Sequence, residues 1–462
     1  QLGQGHEALH CFELMQNEGL SPDAITFTSA LKACGSIRDL NKGEKMHNEI
    51  MSRGLLDNDI MLGSALVDMY AKCHANAKAR WVLEELPFRN VVSWNALITG
   101  YVQQSQWHEA LNCFHQMQNE GLSPNVVTFT SILNACGNMG AIDKGKQIHE
   151  DIMNRGLIEN DMVLGNALVD MYVKCGVLAK AQKVLEELPV RSVVSWNALI
   201  SGYAQQGQGR EALNCFERMQ SEGLCPDGVT FTCVLTACGN SLAMDKGKQI
   251  HGQVVSRSLL ETDIVLADAL VNMYVKCGVV SKAHEVLKQL RYRDVVSWNA
   301  LIGGYAQQGL CHEAFKCLKQ MQSDGLCPDA ITFIFILKAC GDMGALGRGH
   351  SIHDLIMLGA LEEDNIIGSS LVDMYAQCGN LNEARKVFDG LPQPDIVLWG
   401  SIIGAYAEQG SIVPAWELFQ KMQEYGLKPN SVIYLSLLKA CCNVGGLEYG
   451  KSIHAQIIQV GF

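Results

Sequence analysis

The chain has 462 residues, 48% of them hydrophobic, and a formal net charge of −12. That is ample material for a long apolar spine, but no uninterrupted apolar run approaches the roughly 20 residues that span a bilayer, so no membrane segment is expected. The acidic balance argues against indiscriminate nucleic-acid binding, which needs a basic face, and leaves room for a selective groove on an acidic body.

Along the chain the elements come as helical hairpins. The first stretch, 1–23, contains His6-Glu7-Ala8-Leu9-His10 and closes on Pro22. Two further segments, 24–59 and 60–90, lead to the run VVSWNALI at 91–98, which returns at 193–200 and 295–302 and, as IVLWGSII, at 396–403. Trp94, Trp196, Trp298 and Trp399 mark a step of 101–102 residues, and Pro22, Pro124, Pro226, Pro328 and Pro429 keep it. A period held from end to end predicts a stack of supersecondary units in place of one globular core.

Each period divides into three hairpins. Within 91–125, Trp94, Leu97, Ile98 and Tyr101 fall on one helical face, and Ala110, Cys113, Phe114 and Met117 repeat that spacing on a second helix. The sister blocks carry Gly207, Gly309 and Gly410 between the two helices, where a left-handed cap suits glycine. Gly121 ends the second helix, and Pro124 prevents its continuation. A second hairpin follows at 126–161 and a third, shorter one at 162–192. A helical hairpin cannot bury its apolar face alone, so thirteen or fourteen in tandem predict an all-α, right-handed α-solenoid superhelix forming one domain, with a long concave surface. The tryptophan column has the right chemistry for base stacking, but its spacing with Leu and Ile places it in the core.

Apparent catalytic motifs dissolve into the repeat. His6 and His10 fit the HExxH pattern, whose histidines share a helical face. The equivalent runs at 108–112, 210–214 and 312–316 lack the second histidine. His47-Asn48-Glu49 resembles half of a zinc-deaminase signature, but no PCxxC follows. His47, His149, His251, His353 and His454 are one register, three hairpins apart, on the order of 25 Å at roughly 9 Å per helix layer. That is too far for a shared metal, whose bonds are about 2 Å, so they are expected to pack or hydrogen-bond. The eighteen cysteines follow the period without any CxxC pair and are read as reduced, packed thiols.

The runs VVSWNALISGYAQQGQGREALNCFERMQSEGLCPD at 193–227, VTFTCVLTACGNSLAMDKGKQIHGQVV at 229–255 and ALVDMYVKCGVLAKAQKVLEELP at 167–189 resemble pentatricopeptide-repeat proteins of the plant organellar type. The resemblance is to the subclass that alternates P, long (L) and short (S) motifs, and it covers essentially the whole chain. It divides the chain into a partial P at 1–23, L 24–59, S 60–90, P 91–125, L 126–161, S 162–192, P 193–227, L 228–263, S 264–294, P 295–329, L 330–364, S 365–395, P 396–430 and a cut L at 431–462. The chain is thus expected to be a piece of a longer protein, from which C-terminal extension and deaminase-like domains are missing.

The resemblance implies that the fifth and last residues of each P or S motif read one RNA base, one helical repeat per base being an established mode. A short Ser or Thr at the fifth position leaves room for a purine, whereas Asn fits a pyrimidine. A last-position Asp accepts only and suits the ring N–H of G or U; Asn can donate to the bare ring nitrogen of A or C. Ser64 with Asn90 then implies A, Asn95 with Asn125 C, and Asn166 with Ser192 C. Asn197 with Asp227 and Asn299 with Asp329 imply U, and Ser369 with Asp395 implies G. Asp268 with Asp294 puts two acceptors together, and Gly400 with Asn430 lacks a reading side chain, so neither is assigned a base. The L motifs offer Thr28/Asp59, Thr130/Asp161 and Thr232/Asp263, weak readers of G in the family, while Ile334 and Leu435 cannot read. With the protein N-terminus at the RNA 5′ end, the target reads (G)-A-C-(G)-C-U-(G)-n-U-n-G-n, the bracketed bases being weak. Aliphatic second positions, Val92, Val163, Val194, Val265, Val296 and Val397, would flank the bases. From the residues alone, a polar group in a helix's first turn and an Asp or Asn just before it are equally ordinary capping choices.

The resemblance implies a non-enzymatic, monomeric, cofactor-free array in a chloroplast or mitochondrion. It would bind single-stranded organellar RNA for C-to-U editing, with editing-complex accessory proteins as partners. Alternatives are transcript stabilisation or processing without editing, and a peptide-binding scaffold of the tetratricopeptide kind. The uneven hairpin lengths and the Asn/Asp column argue against the scaffold.

Overall fold

The computed structural model describes residues 2–56, 59–158, 161–261, 263–359, 364–391 and 393–460. Among them are 27 α-helices, one three-residue 3-10 turn and no strand. The helices alternate as first and second members of hairpins, for example Val91–Gln103 with Trp107–Asn119 and Val126–Met139 with Ile142–Asn154. Most second helices have 13 residues. Those of the 31-residue hairpins, Asn76–Glu85, Leu178–Glu187, Val280–Gln289 and Leu381–Gly390, have ten. The short unit is thus short because its second helix lacks most of a turn.

The chain forms two compact units, Gln1–Ala237 and Cys238–Phe462. In the first, Ala24–Ile37, Ile60–Lys72, Val91–Gln103, Val126–Met139, Met162–Lys174 and Val193–Gln205 pack each on the next. In the second, Ile264–Lys276, Val295–Gln307, Ala330–Asp342, Asn365–Gln377, Ile396–Glu408 and Ser431–Val444 do the same. Apart from Leu2–Asn17 and Met244–Ser256, the second helices pack on their own hairpin partners, so a row of first helices is the structural axis of either unit.

The periodic residues fill that row. Trp94, Trp196, Trp298 and Trp399 are all buried, as their helical spacing predicts. Trp94 and Trp196 also donate from Nε1 to Glu120 (2.9 Å) and Glu222 (3.2 Å), carboxylates that pair with Arg89 and Arg191. At the third site the carboxylate is Asp324, one methylene shorter. It pairs with Arg293 at 2.7 Å, and the buried Trp298 Nε1 has no hydrogen-bond partner among the described residues. The turn between helices adopts the left-handed region at Gly207, Gly309 and Gly410, with φ of 74°, 70° and 73°. In the first P hairpin Ser105 takes that place at φ 58°, a conformation L side chains resist.

All eighteen cysteines are free. His47, His149, His251 and His353 bring Nδ1 to 2.8–2.9 Å from the hydroxyls of Tyr70, Tyr172, Tyr274 and Tyr375. They are the hydrogen-bonding residues the register predicts. Burial pushes the first three of these imidazoles below their ordinary value. His6 and His10 are exposed, and no cluster of metal-ligating side chains occurs among the described residues.

Candidate nucleic-acid interface

Every segment read from the sequence as a P or S motif ends on the residue that caps the next first helix. Asn90, Asn125, Asp227, Asp294, Asp329, Asp395 and Asn430 each accept through Oδ1 from the backbone N–H three residues on, at 2.8–3.1 Å, and Ser192 does so through Oγ. Helix starts leave such N–H groups unpaired, and Asn, Asp and Ser are the residues that satisfy them. The capping alternative therefore holds at these positions, and it fixes the side chain: with Oδ1 turned to the helix, an Asn presents its amide and an Asp its second oxygen elsewhere.

The fifth residues meet these caps from the preceding motif. Asn95 Nδ2 donates to Asn125 Oδ1 at 2.9 Å, Asn197 Nδ2 to Asp227 Oδ1 at 3.1 Å, and Asn299 Nδ2 to both oxygens of Asp329 at 2.9 and 3.1 Å. A third group locks each pair. The hydroxyls of Thr128, Thr230 and Thr332 donate to the Oδ1 of Asn95, Asn197 and Asn299 at 2.6–2.7 Å. All three asparagines are buried among polar partners. Ser64 Oγ lies 3.2 Å from Asn90 Oδ1, and Ser192 Oγ donates to Asn166 Oδ1 at 2.9 Å. Asp268 accepts from the Ser297 hydroxyl beside Asp294. The Ser369 hydroxyl bonds the Asn365 carbonyl at 2.9 Å, as that of Ser64 also bonds Ile60 at 2.8 Å, while Asp395 caps Leu398.

The charge state of the last residues follows from these contacts. Burial pushes the Asp227 and Asp329 carboxyls up, but bonds from the Thr230 or Thr332 N–H and hydroxyl and from Asn197 or Asn299 more than offset it, holding both below the ordinary carboxylate value. They are acceptors at neutral pH. For Asp268 burial dominates, the Ser297 hydroxyl recovers part of it, and the neighbouring Asp294 charge adds to the rise, leaving its carboxyl at about 6.

The segments read as L motifs form a different junction. Thr28, Thr130 and Thr232 donate to carbonyls of their own helices, Ala24, Val126 and Gly228, at 2.8–2.9 Å. Asp59, Asp161 and Asp263 cap the following helices with ψ of 94°, 102° and 96°. The caps after P and S motifs are nearly fully extended, with ψ of 172° at Asn90, −176° at Asn125 and 178° at Asp294. The backbone therefore turns differently after each L motif, while the threonine hydroxyls are engaged as those of Ser64 and Ser369 are.

Apolar side chains stand beside the polar pairs. Val92, Val163, Val194, Val265, Val296 and Val397 are 55–65% exposed. Ile25, Met61, Val127, Val229, Ile331, Ile366 and Val432 complete the same column and are exposed as well. A cavity of about 330 Å³ is lined by the fifth residues Thr28, Ser64 and Asn95 together with Met61, Val92, Val127 and Lys32. Where the fifth side chain is missing, a larger cavity of about 510 Å³ opens among Gly400, Asn430, Val397 and Val432. The locking hydroxyls and the aliphatics of the L motifs were not singled out from the sequence. Their signal was present in the Ser or Thr three residues after Asn90, Asn125, Ser192, Asp227, Asp294 and Asp329 and in the apolar residue at every second position.

The PPR repeat family matches residues 89–138, 191–240, 293–342 and 394–443, and the PPR repeat matches 25–55, 127–157, 166–193, 267–295 and 369–393, together more than half of the chain. The Arabidopsis thaliana pentatricopeptide repeat-containing protein At5g27110 is 35% identical over 98% of this chain and 65% of its own length. Two others from the same plant, At2g03380, named mitochondrial, and At1g11290, named chloroplastic, are each 34% identical over 96% of this chain and over 64% and 54% of their own lengths. The chain thus spans between about half and two thirds of the relatives it matches. In fold it is similar to the crystal structure of the pentatricopeptide repeat protein PPR10 in complex with an 18-nt psaJ RNA element, with a TM-score of 0.71 at 21% identity, covering all of this chain and 73% of that one. By the repeats matched along it and by these relatives, the chain belongs to the pentatricopeptide repeat (PPR) family.

Proposed function

We propose that the chain is a sequence-selective array for single-stranded RNA in which each P or S motif meets one base through its fifth and last residues. The observation that carries this reading is the recurrent polar pair beside an exposed aliphatic. Three Asn–Asn or Asn–Asp pairs are locked by a threonine hydroxyl, in register with the valines. A flat base needs apolar contact on its faces and a donor or acceptor at its edge, and both are present at each step. Capping supplies the discrimination. An Asp whose Oδ1 is held by the helix offers a second, ionised oxygen to the N3–H of uracil, whereas an Asn offers an N–H to the bare N3 of cytosine. The reading is therefore A at Ser64/Asn90, C at Asn95/Asn125 and Asn166/Ser192, U at Asn197/Asp227 and Asn299/Asp329, and G at Ser369/Asp395. The 18-nt RNA bound by PPR10 supports RNA as the ligand class. The L junctions, with their caps turned, act as spacers with weak preference.

Within a longer protein, the array serves in a chloroplast or mitochondrion, as the names of its relatives favour. It acts there as the recognition arm of a C-to-U editing factor whose deaminase lies on another segment or partner. Competition binding tests the array itself. An RNA carrying the deduced bases is challenged with competitors in which U becomes C opposite Asn197/Asp227 and Asn299/Asp329. Each change should weaken competition about tenfold, the worth of one hydrogen bond to a charged acceptor. Equal competition by all RNAs would reduce the interaction to electrostatics and refute the base assignments.

A further inference from the structure

Four junctions share one arrangement, and one of them has the wrong residue for it. At Asn95, Asn197 and Asn299 the fifth side chain accepts a hydroxyl proton through Oδ1 and donates an N–H to the capping residue of the next helix. At the fourth, the Ser297 hydroxyl donates to Asp268 Oδ1, and Asp294 caps the helix through Oδ1, taking the Ser297 N–H at 2.9 Å. The roles of hydroxyl and cap are unchanged. Toward Asp294, however, Asp268 offers a carboxyl oxygen where asparagine offers an N–H. Two ionised carboxylates cannot make that bond; a neutral carboxyl group can, because its O–H donates as the amide does.

We propose that Asp268 works as a protonated stand-in for asparagine, so that the Asp268/Asp294 pair selects uracil while Asp268 holds its proton and loses that preference when it ionises. The proposal rests on the base-reading function above and gives the unassigned eighth base of the target an identity. The surroundings favour the neutral form. Asp268 is half-buried at the start of Ile264–Lys276. Among the described residues, Asp294 is the one charged group acting on it; Met244–Ser256, Leu259–Glu261 with its Glu261, Val280–Gln289 and Val295–Gln307 bring no other, and Val295–Gln307 contributes the neutral Ser297 hydroxyl. Enclosure and the Asp294 charge bring the carboxyl to about 6, within reach of mildly acidic conditions. Once it ionises, two anionic oxygens face the carbonyl-bearing edge of uracil, and the selective contact becomes repulsive.

The test uses the whole chain and RNAs of the deduced sequence, varied at the eighth base, at pH about 5.5 and about 8. Wild type should favour U over C at the eighth base about tenfold at the lower pH and less than about twofold at the higher. Asp268→Asn should favour U about tenfold at both. A U-to-C change at the sixth base, opposite Asn197/Asp227, serves as reference and should cost about tenfold at both pH values. A wild-type preference at the eighth base that is absent, or unchanged between the two pH values while the reference behaves, overturns the proposal. Loss of the reference penalty overturns the base-reading function and this proposal with it. A readout without RNA gives a second check. The folded state raises the Asp268 value, so its contribution to stability is present below the ordinary Asp range and lost as pH rises through about 6. The melting temperature of Asp268→Asn should therefore gain on wild type across that window, and parallel curves contradict the assignment.

Discussion

The hairpin beginning at Val193 and the one beginning at Ile396 occupy the same register and differ where base reading is proposed. Both bury their tryptophan, Trp196 and Trp399, and both expose the second-position valine, Val194 and Val397. Both close on a capping residue, Asp227 or Asn430, that holds the next helix at 2.8 and 3.0 Å. Only the first has a fifth side chain, Asn197, joined to that cap; the second has Gly400 and a cavity. The fold thus rests on the tryptophan, the cap and the hairpin glycine, and the hairpin forms even where the fifth side chain is missing. That separation lets one scaffold carry many different readings.

The largest way to break the comparison is through the core. Trp196→Ala should cost about 3–5 kcal/mol in urea unfolding, the range for emptying a large buried aromatic site. Gly400→Asn should change stability by less than about 0.5 kcal/mol, because a Cβ there meets only Ile433, at 3.6 Å. If the glycine variant proves as costly as the tryptophan one, position five is part of the fold. Asn197→Ala falls between them. It leaves the Thr230 hydroxyl with Asp227 Oδ1, at 2.8 Å, as acceptor and removes the amide donor to Asp227, which should cost about 1 kcal/mol in stability and erase the preference at the sixth base in competition binding.

Two smaller changes sharpen the same columns. Asp324→Glu should let the carboxylate reach Trp298 Nε1 as Glu120 and Glu222 reach theirs, a gain of about 1 kcal/mol seen in thermal unfolding. No gain would mean that Arg293 holds the longer side chain away. Ser105→Gly should stabilise the first P hairpin by about 0.5–1 kcal/mol by relieving a positive φ that its sister hairpins assign to glycine.

What the sequence disclosed was the level at which physics is periodic. Buried Trp94 and Leu97, the left-handed Gly207 and the caps at Asn125 and Asp227 follow from spacing and residue type. The locking hydroxyls were harder to read. Thr128 is three residues from its cap but 33 from Asn95, and only packing of successive first helices brings them within 2.6 Å. The different turn after L motifs was also hidden, because Asp161 and Asp227 are the same residue in the same role. Their junctions differ through the hairpin geometry on either side. The sequence sets Asp268 against Asp294 as two acceptors, but that Asp268 takes the place of the asparagines is visible only where Ser297 bonds it as Thr230 bonds Asn197.

The central claim is that a fifth and a last residue together choose one base, and a reciprocal exchange tests it most directly. Asp227→Asn keeps the cap oxygen and the Asn197 bond and replaces the free acceptor with a donor. Wild type and variant are each assayed against RNAs carrying U or C at the sixth base. The account predicts that wild type prefers U about tenfold and that the variant prefers C by a similar factor, with the better pairs binding alike. A variant that keeps the wild-type preference, or that weakens binding to both RNAs equally, would contradict it.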